Sequence, residues 1–173
     1  MEALHKLENQ LAGLFKDTPK LSASSKETLA SVWPWLALVF GILQLLAAWA
    51  LWGLVQVAER ATDLANSISL YYTGTQVGLT AMDKNIIYLS LIVLVVDAVI
   101  LLMAFPELKK RTKRGWDLVF LGAVLNIVYS VLTIFIDGRG LGSFLFNLIG
   151  IFIGLYLLFQ VREKFGKSAS AAK

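Results

Sequence analysis

The chain has 173 residues, of which 57% are hydrophobic and 16% are charged, and its mean hydropathy is +0.69. That balance is too apolar for a soluble domain of this length, so the composition predicts an integral membrane protein. The sequence contains no cysteine and one histidine, His5. Disulfide frameworks, thiolate metal sites and thiol redox motifs are therefore excluded.

Residues 1–20 are predicted to form an amphipathic helix on the cytoplasmic surface of the membrane, with residues 2–17 helical. Apolar side chains recur at helical spacing on one face: Leu4, Leu7, Leu11, Leu14 and Phe15. Glu8 belongs to the opposite polar face, which is near charge balance. We therefore expect this helix to pack at the membrane surface or against a partner rather than to be held by anionic lipid.

The second helix is predicted to begin at the capping-box sequence Ser24-Ser25-Lys26-Glu27. Its membrane span covers residues 35–57, close to the roughly 20 apolar residues that cross a bilayer, and Pro34 is expected to kink it. Because no apolar segment precedes this span, we expect it to direct membrane insertion. Residues 59–85 are predicted to continue as a helical extension and then an irregular loop.

Three more spans are predicted at residues 86–105, 117–136 and 141–161. Asp83 is expected to cap the first of these and Pro106 to end it, because a residue before proline disfavours helix. A tight turn at residues 137–140 makes the last two spans an antiparallel hairpin, and residues 166–173 are predicted to be disordered. Residues 21–165 are thus expected to form one all-α domain, a four-helix transmembrane bundle.

Basic residues are distributed unequally along the chain. Of the 16 lysines and arginines, 13 lie in residues 1–32, 106–115 or from 162 onward. Because positively charged loops stay in the cytoplasm, we predict that both termini are cytoplasmic. The most basic loop contains Lys109, Lys110, Arg111, Lys113 and Arg114. It is interpreted as a topology determinant, with binding to anionic lipid or to a protein as the alternative.

Polar side chains lie near the midpoints of three predicted spans: Gln44, Asp97 and Asn126. Asn147 lies about one turn away, toward the outer face. A carboxylate at the bilayer centre costs about 2.5–3.5 kcal/mol on insertion scales, so it should face other helices or a water-filled cavity. We therefore predict an intramembrane polar layer made of these four residues.

Small residues mark the helix faces that are expected to meet. In three spans, small residues share one helix face with the polar residue. The first and last sets are spaced by 4, 3 and 4 residues and the middle set by 4, 4 and 3: Ala37, Gly41, Gln44 and Ala48, then Gly122, Asn126, Ser130 and Thr133, then Ser143, Asn147, Gly150 and Gly154. Gly41, Gly122, Gly150 and Gly154 are predicted packing positions, since glycine lets two backbones approach closely.

Two functional hypotheses depend on Asp97. In the first, Asp97 is a hydrogen-bond partner for the amides and specifies the helix arrangement. In the second, it binds a proton or cation during transport. A dry, fully hydrogen-bonded layer favours the first hypothesis, and a water-connected cavity favours the second.

An enzymatic role has little support. The predicted spans contain no histidine or cysteine, and the chain lacks hydrolase, metalloprotease and phosphate-binding motifs. We expect the protein to bind no cofactor, no metal and no nucleic acid. Its expected partners are the lipid bilayer and either another membrane protein or further copies of the chain. The leading hypothesis is a non-enzymatic accessory or scaffolding protein, and the alternative is a small proton- or cation-coupled transporter or channel that uses Asp97.

Four segments resemble small four-span membrane proteins of bacteria to which no activity is assigned. The segments are residues 34–41, 104–109, 115–120 and 154–162. The resemblance extends over residues 20–165 and implies the four-span fold and the bacterial inner membrane. It implies nothing about a substrate.

Overall fold

The computed structural model describes residues 2–75, 77–78, 81–137 and 141–166, without the side chains of residues 2–4, 81–82, 133–137 and 141–147. These residues are helical with no strand among them, which confirms the all-α class. The helices are α1 (Glu2–Leu14), α2 (Ala23–Thr73), α3 (Ala81–Lys109), α4 (Lys113–Asp137) and α5 (Leu141–Gln160), followed by a 3₁₀ turn at Arg162–Lys164.

Three of these helices are long and apolar enough to cross a membrane. The stretches are Ala23–Thr73, Asp83–Lys109 and Lys113–Leu132, and a shorter apolar segment, Leu148–Gln160, lies in α5. The chain therefore has the helices of an integral membrane protein. The predicted turn at 137–140 and the predicted disordered tail lie largely outside the described residues, as does the side chain of Asn147.

Helix α2 differs from its predicted start, and it continues beyond the span as predicted. Its N-cap is Ser22, whose hydroxyl accepts a hydrogen bond from the Ser25 amide at 3.1 Å, so the predicted capping box at Ser24 is wrong. The extension after Glu59 stays helical to Thr73 and ends at Gly74, which adopts a left-handed φ of 69°. At about 1.5 Å per residue the 51-residue helix is about 76 Å long, more than twice the thickness of a bilayer core.

The segment after Gly74 returns along one side of α2. Ser69 Oγ donates to the Thr75 carbonyl at 2.8 Å, and Asn66 Oδ1 accepts from the Val77 amide at 2.7 Å. At Gly78, where φ is 98°, a Cβ atom would lie 2.6 Å from the Thr62 side chain. Glycine is therefore required for this close return, which covers one face of the α2 extension and leaves the opposite face open.

Helix α3 does not end before its proline. It continues through Pro106 to Lys109, so the predicted end at Phe105 is wrong. The turn that follows is held by its own hydrogen bonds, because the Thr112 amide and hydroxyl both donate to the Glu107 carbonyl. Gly115 then permits α4 to start directly against α3, since a Cβ there would lie 2.6 Å from the Leu108 backbone nitrogen.

The most deeply buried side chains lie at the end of the bundle that carries both termini, here called the terminal end. They belong to α1, α3, α4, α5 and the residue after α5, and the largest are Glu8, Leu108, Trp116, Phe120, Leu158 and Val161. Helix α1 is part of this core through Phe15 and Leu11. Leu7 and Leu14, which were expected to be buried against lipid or the bundle, do not pack on the bundle, because the face that meets it is centred on Glu8, Leu11 and Phe15.

Candidate functional site

Asp97 and Gln44 meet in the middle of the bundle. Asp97 is on α3 and only 4% exposed, and its Oδ2 atom accepts a hydrogen bond from Gln44 Nε2 of α2 at 2.7 Å. The two helices approach closely one turn away, where a Cβ on Gly41 would lie 3.0 Å from the Leu102 side chain. The missing side chain of Gly41 therefore helps to bring the Gln44 amide within reach of the Asp97 carboxylate.

Gly122 of α4 provides the space for the Asp97 carboxylate. A Cβ at this position would lie 2.6 Å from Asp97 Oδ1, so any side chain here would displace the carboxylate. Gly122 was predicted as a packing position for helix backbones. In the structure it also accommodates a side chain from α3.

Asn126 lies near Asp97 but bonds to its own helix. Its side-chain Nδ2 atom donates to the backbone carbonyl of Gly122 at 2.9 Å. The backbone carbonyl of Asn126 accepts from Ser130 Oγ at 2.7 Å. Of the predicted polar layer, the structure joins Gln44 to Asp97 by a hydrogen bond and places Asn126 beside them. Asn147, the fourth predicted member, lies outside the described side chains.

A cavity of about 160 Å³ adjoins Asp97 and Asn126. All four long helices line it, through Trp33 of α2, Asp97 and Leu101 of α3, Val119, Gly122, Ala123 and Asn126 of α4, and Gly154 and Leu158 of α5. Since one water molecule occupies about 30 Å³ in the liquid, the cavity has room for several. We name it the inner cavity.

Among the described residues, two buried oxygen atoms of the Gln44–Asp97 pair have no hydrogen-bond partner. They are Asp97 Oδ1 and Gln44 Oε1. A buried polar atom left unpaired costs about 1–3 kcal/mol, and more if it carries charge. Among the described side chains, the hydrogen bonds of the polar layer are therefore incomplete; the side chain of Asn147, its fourth predicted member, is not among them.

The face of α5 that carries Gly150 and Gly154 does not make the predicted helix contact among the described residues. Gly150 and Gly154 were predicted to pack against another helix, yet a Cβ at either position would meet no atom within 4 Å. Gly154 lines the inner cavity instead. Of the four predicted packing glycines, Gly41 and Gly122 lie at close contacts between helices.

A second polar cluster, at the terminal end, surrounds Glu8 of α1. Its carboxylate is 2% exposed and accepts from Lys113 Nζ at 2.7 Å, from Arg162 Nε at 2.6 Å and from the His5 ring at 3.2 Å. Burial by itself raises the pKa of Glu8, but the hydrogen bonds from Lys113 and His5 and the charges of Lys113 and Arg162 outweigh it and hold the pKa below its ordinary value. Glu8 is thus a buried anion, fixed between cations from α4 and the chain end.

Trp116 forms the apolar side of this cluster. Its indole Nε1 donates to the Leu158 carbonyl at 2.9 Å, and the Lys113 ammonium lies 3.7 Å from the ring centroid. The ring stacks on Phe120 and meets Phe159, which in turn stacks on Phe15. The sequence patterns did not identify Glu8 or Trp116 as important, because their partners lie far away along the chain.

The predicted basic loop is largely engaged inside the molecule. Arg111 donates to Glu27 at 2.8 Å, Lys113 pairs with Glu8 and Asp117, and the Lys109 ammonium lies 5.1 Å from the Trp35 ring centroid. Lys110 and Arg114 are exposed. Any binding of anionic lipid by this loop therefore depends mainly on those two residues.

His5, Glu8 and Asp117 bring three possible metal-ligand atoms within 4.8 Å of one another. The same two carboxylates, however, already share Lys113, and Glu8 also pairs with Arg162. A divalent cation would have to displace these charges, so this group is better described as a set of ion pairs than as a metal site.

No protein-family model matches the chain, and neither the curated proteins nor the solved structures contain a significantly similar protein. Any function assigned to the chain therefore rests on the chemistry of its own residues.

Proposed function

We propose that the protein is a four-span bacterial inner-membrane protein with both termini in the cytoplasm and α1 at the cytoplasmic surface. Helix α5, with 20 residues and a strongly apolar sequence, is the fourth span. The excess of basic residues at the terminal end supports this orientation, since 13 of 16 lie in the segments on that side.

Within that membrane we propose a non-enzymatic accessory or scaffolding role that acts through helix packing. The supporting observation is an exposed apolar stripe on α2, which extends past the predicted end of the span. Its positions are spaced by 4 and 3 residues in turn, and they are Leu36, Phe40, Leu43, Ala47, Ala50, Leu54, Val57, Ala61, Leu64, Ile68 and Tyr71. We name it the outer seam.

Lipid accounts for the apolar character of the outer seam only as far as Val57. Beyond that residue, Leu64 is 64% exposed, Ile68 is 52% exposed and Tyr71 is 83% exposed. Exposed apolar patches outside the bilayer mark interaction surfaces, and a repeat of 3.5 residues is the spacing of paired helices. This part of α2 therefore favours a helical partner.

A second copy of the chain is the partner that fits best. Two copies in one membrane have the same orientation and depth, so their outer seams align along their whole length. The partner must also offer a helix that reaches as far beyond the bilayer, which α2 of another copy does. The positions of α2 directly beside the outer seam contain one charged residue, Arg60. In a parallel pair of α2 helices, no two like charges therefore face each other across the seam.

Disulfide trapping in native membranes tests this proposal, because the natural chain has no cysteine. Leu64→Cys should give a covalent dimer on oxidation. Asp63→Cys, exposed on the adjacent position and turned about 100° away, is the matched control and should give little. A cross-link from the Leu64→Cys variant to a different protein would replace the second copy with another partner, and no cross-link from either variant would refute the packing role.

A second candidate is a proton- or cation-coupled transporter or channel that uses Asp97. It is favoured by the inner cavity and by the unpaired Oδ1 atom of Asp97. Flux of protons or cations into vesicles that contain the purified protein, lost in Asp97→Asn, would support it. Equal flux in both proteins, or none in either, would refute it.

A further inference from the structure

We infer that the turn between α3 and α4 binds the phosphate group of an anionic phospholipid in the leaflet at the terminal end. The binding cations are Lys110 and Arg114, and the exposed apolar surfaces of the two helices take the acyl chains. This site is separate from the packing role, because it involves neither the outer seam nor Asp97.

The turn directs its cations to two different sides. Arg111 adopts a left-handed φ of 57°, and its guanidinium and the Lys113 ammonium both bind carboxylates of the terminal end. Lys110 and Arg114 are exposed, and neither has a carboxylate partner among the described residues. The charges of these two side chains are therefore available to an anion from outside the chain.

Each of the two cations stands at the end of an exposed apolar stripe. On α3 the stripe that leads to Lys110 has positions spaced by 4 and 3 residues in turn, and they are Ile92, Val96, Val99, Met103 and Pro106. On α4 the stripe that follows Arg114 contains Leu121, Val128 and Leu132. From Lys110 to Val99 is about 16 Å along the helix, roughly half of a 30 Å hydrocarbon core. The stripe on α3 thus spans the depth of one leaflet and ends at a cation.

The two stripes belong to neighbouring helices that meet at this end. Helix α3 ends at Lys109 and α4 begins at Lys113, and a Cβ on Gly115 would lie 2.6 Å from the Leu108 backbone nitrogen. Lys110 and Arg114 flank this close contact. One phospholipid, with a chain on each stripe, therefore brings its phosphate to both cations. A zwitterionic headgroup carries its own cation beside the phosphate, so the site favours an anionic lipid.

Aromatic rings next to the turn mark the depth of the lipid headgroups. The Lys109 ammonium lies 5.1 Å from the ring centroid of Trp35 and 5.6 Å from that of Phe105. Trp35 is 53% exposed, and tryptophan is enriched in the layer between the hydrocarbon and water. Lys110 is the next residue and therefore lies at the level of the lipid phosphates, where a cation is attracted to an anionic membrane surface.

Spin-labelled lipids test the inference with the full-length protein in phosphatidylcholine vesicles. Electron spin resonance measures how strongly labelled phosphatidylglycerol associates with the protein relative to labelled phosphatidylcholine. We expect the natural protein to prefer phosphatidylglycerol, and Lys110→Gln or Arg114→Gln to lower that preference about two- to fivefold. Arg111→Gln is the matched control, because it removes one charge from the same turn but from a side chain that binds Glu27. It should leave the preference nearly unchanged, and Lys110→Arg should retain it.

Three results would overturn the inference. One is the absence of a preference in the natural protein, and another is an equal loss in the Lys110→Gln and Arg111→Gln variants, which would reflect net charge alone. The third is a preference that persists in every variant, as a role in topology alone predicts. Inorganic phosphate is added in a separate arm and compared with chloride at the same ionic strength. Stronger displacement of the lipid by phosphate would assign the two cations to a free anion and would refute the lipid site.

Discussion

The protein buries two carboxylates in opposite circumstances. Glu8, at the terminal end, has three partners and a pKa held below its ordinary value, whereas Asp97, near the middle of α3, has one partner among the described residues and one buried oxygen without a partner there. The difference teaches that burial alone does not distinguish a structural acid from a reactive one. A fully paired carboxylate holds elements together, and an incompletely paired one keeps the capacity to bind a ligand.

The largest effect is expected from Glu8→Leu, which leaves two cations without their shared anion. Breaking a buried ion pair costs about 3–5 kcal/mol, but the Lys113 and Arg162 side chains are 36% and 40% exposed and can regain water. We therefore expect a loss of about 2–3 kcal/mol in detergent unfolding and faster proteolysis after Lys16 or Lys20. Asn9→Leu, exposed on the same turn, is the control, and an equal effect of both changes would contradict the role of Glu8.

At Asp97 the expected loss is smaller and depends on the replacement. Asp97→Leu leaves the Gln44 amide without its acceptor and should lower the free energy of unfolding by about 1–2 kcal/mol. Asp97→Asn keeps a similar shape and hydrogen-bonding capacity, so it should change stability by less than about 0.5 kcal/mol. Unfolding titrations of the three proteins measure this difference; a large loss in Asp97→Asn would show that the negative charge itself stabilises the bundle.

Gly122→Ala sharpens the comparison by changing only the space around Asp97. The added methyl group would lie 2.6 Å from Asp97 Oδ1, so the carboxylate must move and its bond to Gln44 weakens. Overpacking of this kind costs about 1–3 kcal/mol, partly offset by the better helix propensity of alanine, and we expect a net loss of about 1 kcal/mol. Gly53→Ala, in an open part of α2, should instead be neutral or stabilising.

The smallest effect is the pH dependence that Glu8 contributes. Because the folded pKa of Glu8 is lowered from 4.5, its contribution to stability is fully present above the unfolded pKa and is lost as the pH falls through the folded value. Thermal unfolding between about pH 3 and pH 7 should therefore show a decline at acidic pH that is flatter in Glu8→Gln. Parallel curves for the two proteins would mean that other carboxylates cause the decline.

The membrane helices follow from local composition and could be predicted well. Hydropathy located the apolar stretches of α2, α3 and α4, and helical spacing placed Gln44, Asp97 and Asn126 near one level. The errors lie at helix ends, at Ser24 and Phe105. Each end is decided by a few hydrogen bonds, such as Ser22 to Ser25 and Thr112 to Glu107, which composition does not reveal.

The chemistry of the two buried acids was decided by the tertiary structure. The sequence by itself determined that an acid lies near the middle of a long apolar helix, because a charged residue in such a stretch is conspicuous. It did not determine that Asn126 forms its hydrogen bonds within its own helix. Nor did it determine that Glu8, on the predicted polar face of α1, is buried in the core. Those outcomes depend on contacts such as Glu8 with Lys113 and Asp97 with Gly122, which join residues on separate helices and exist only once the helices have packed.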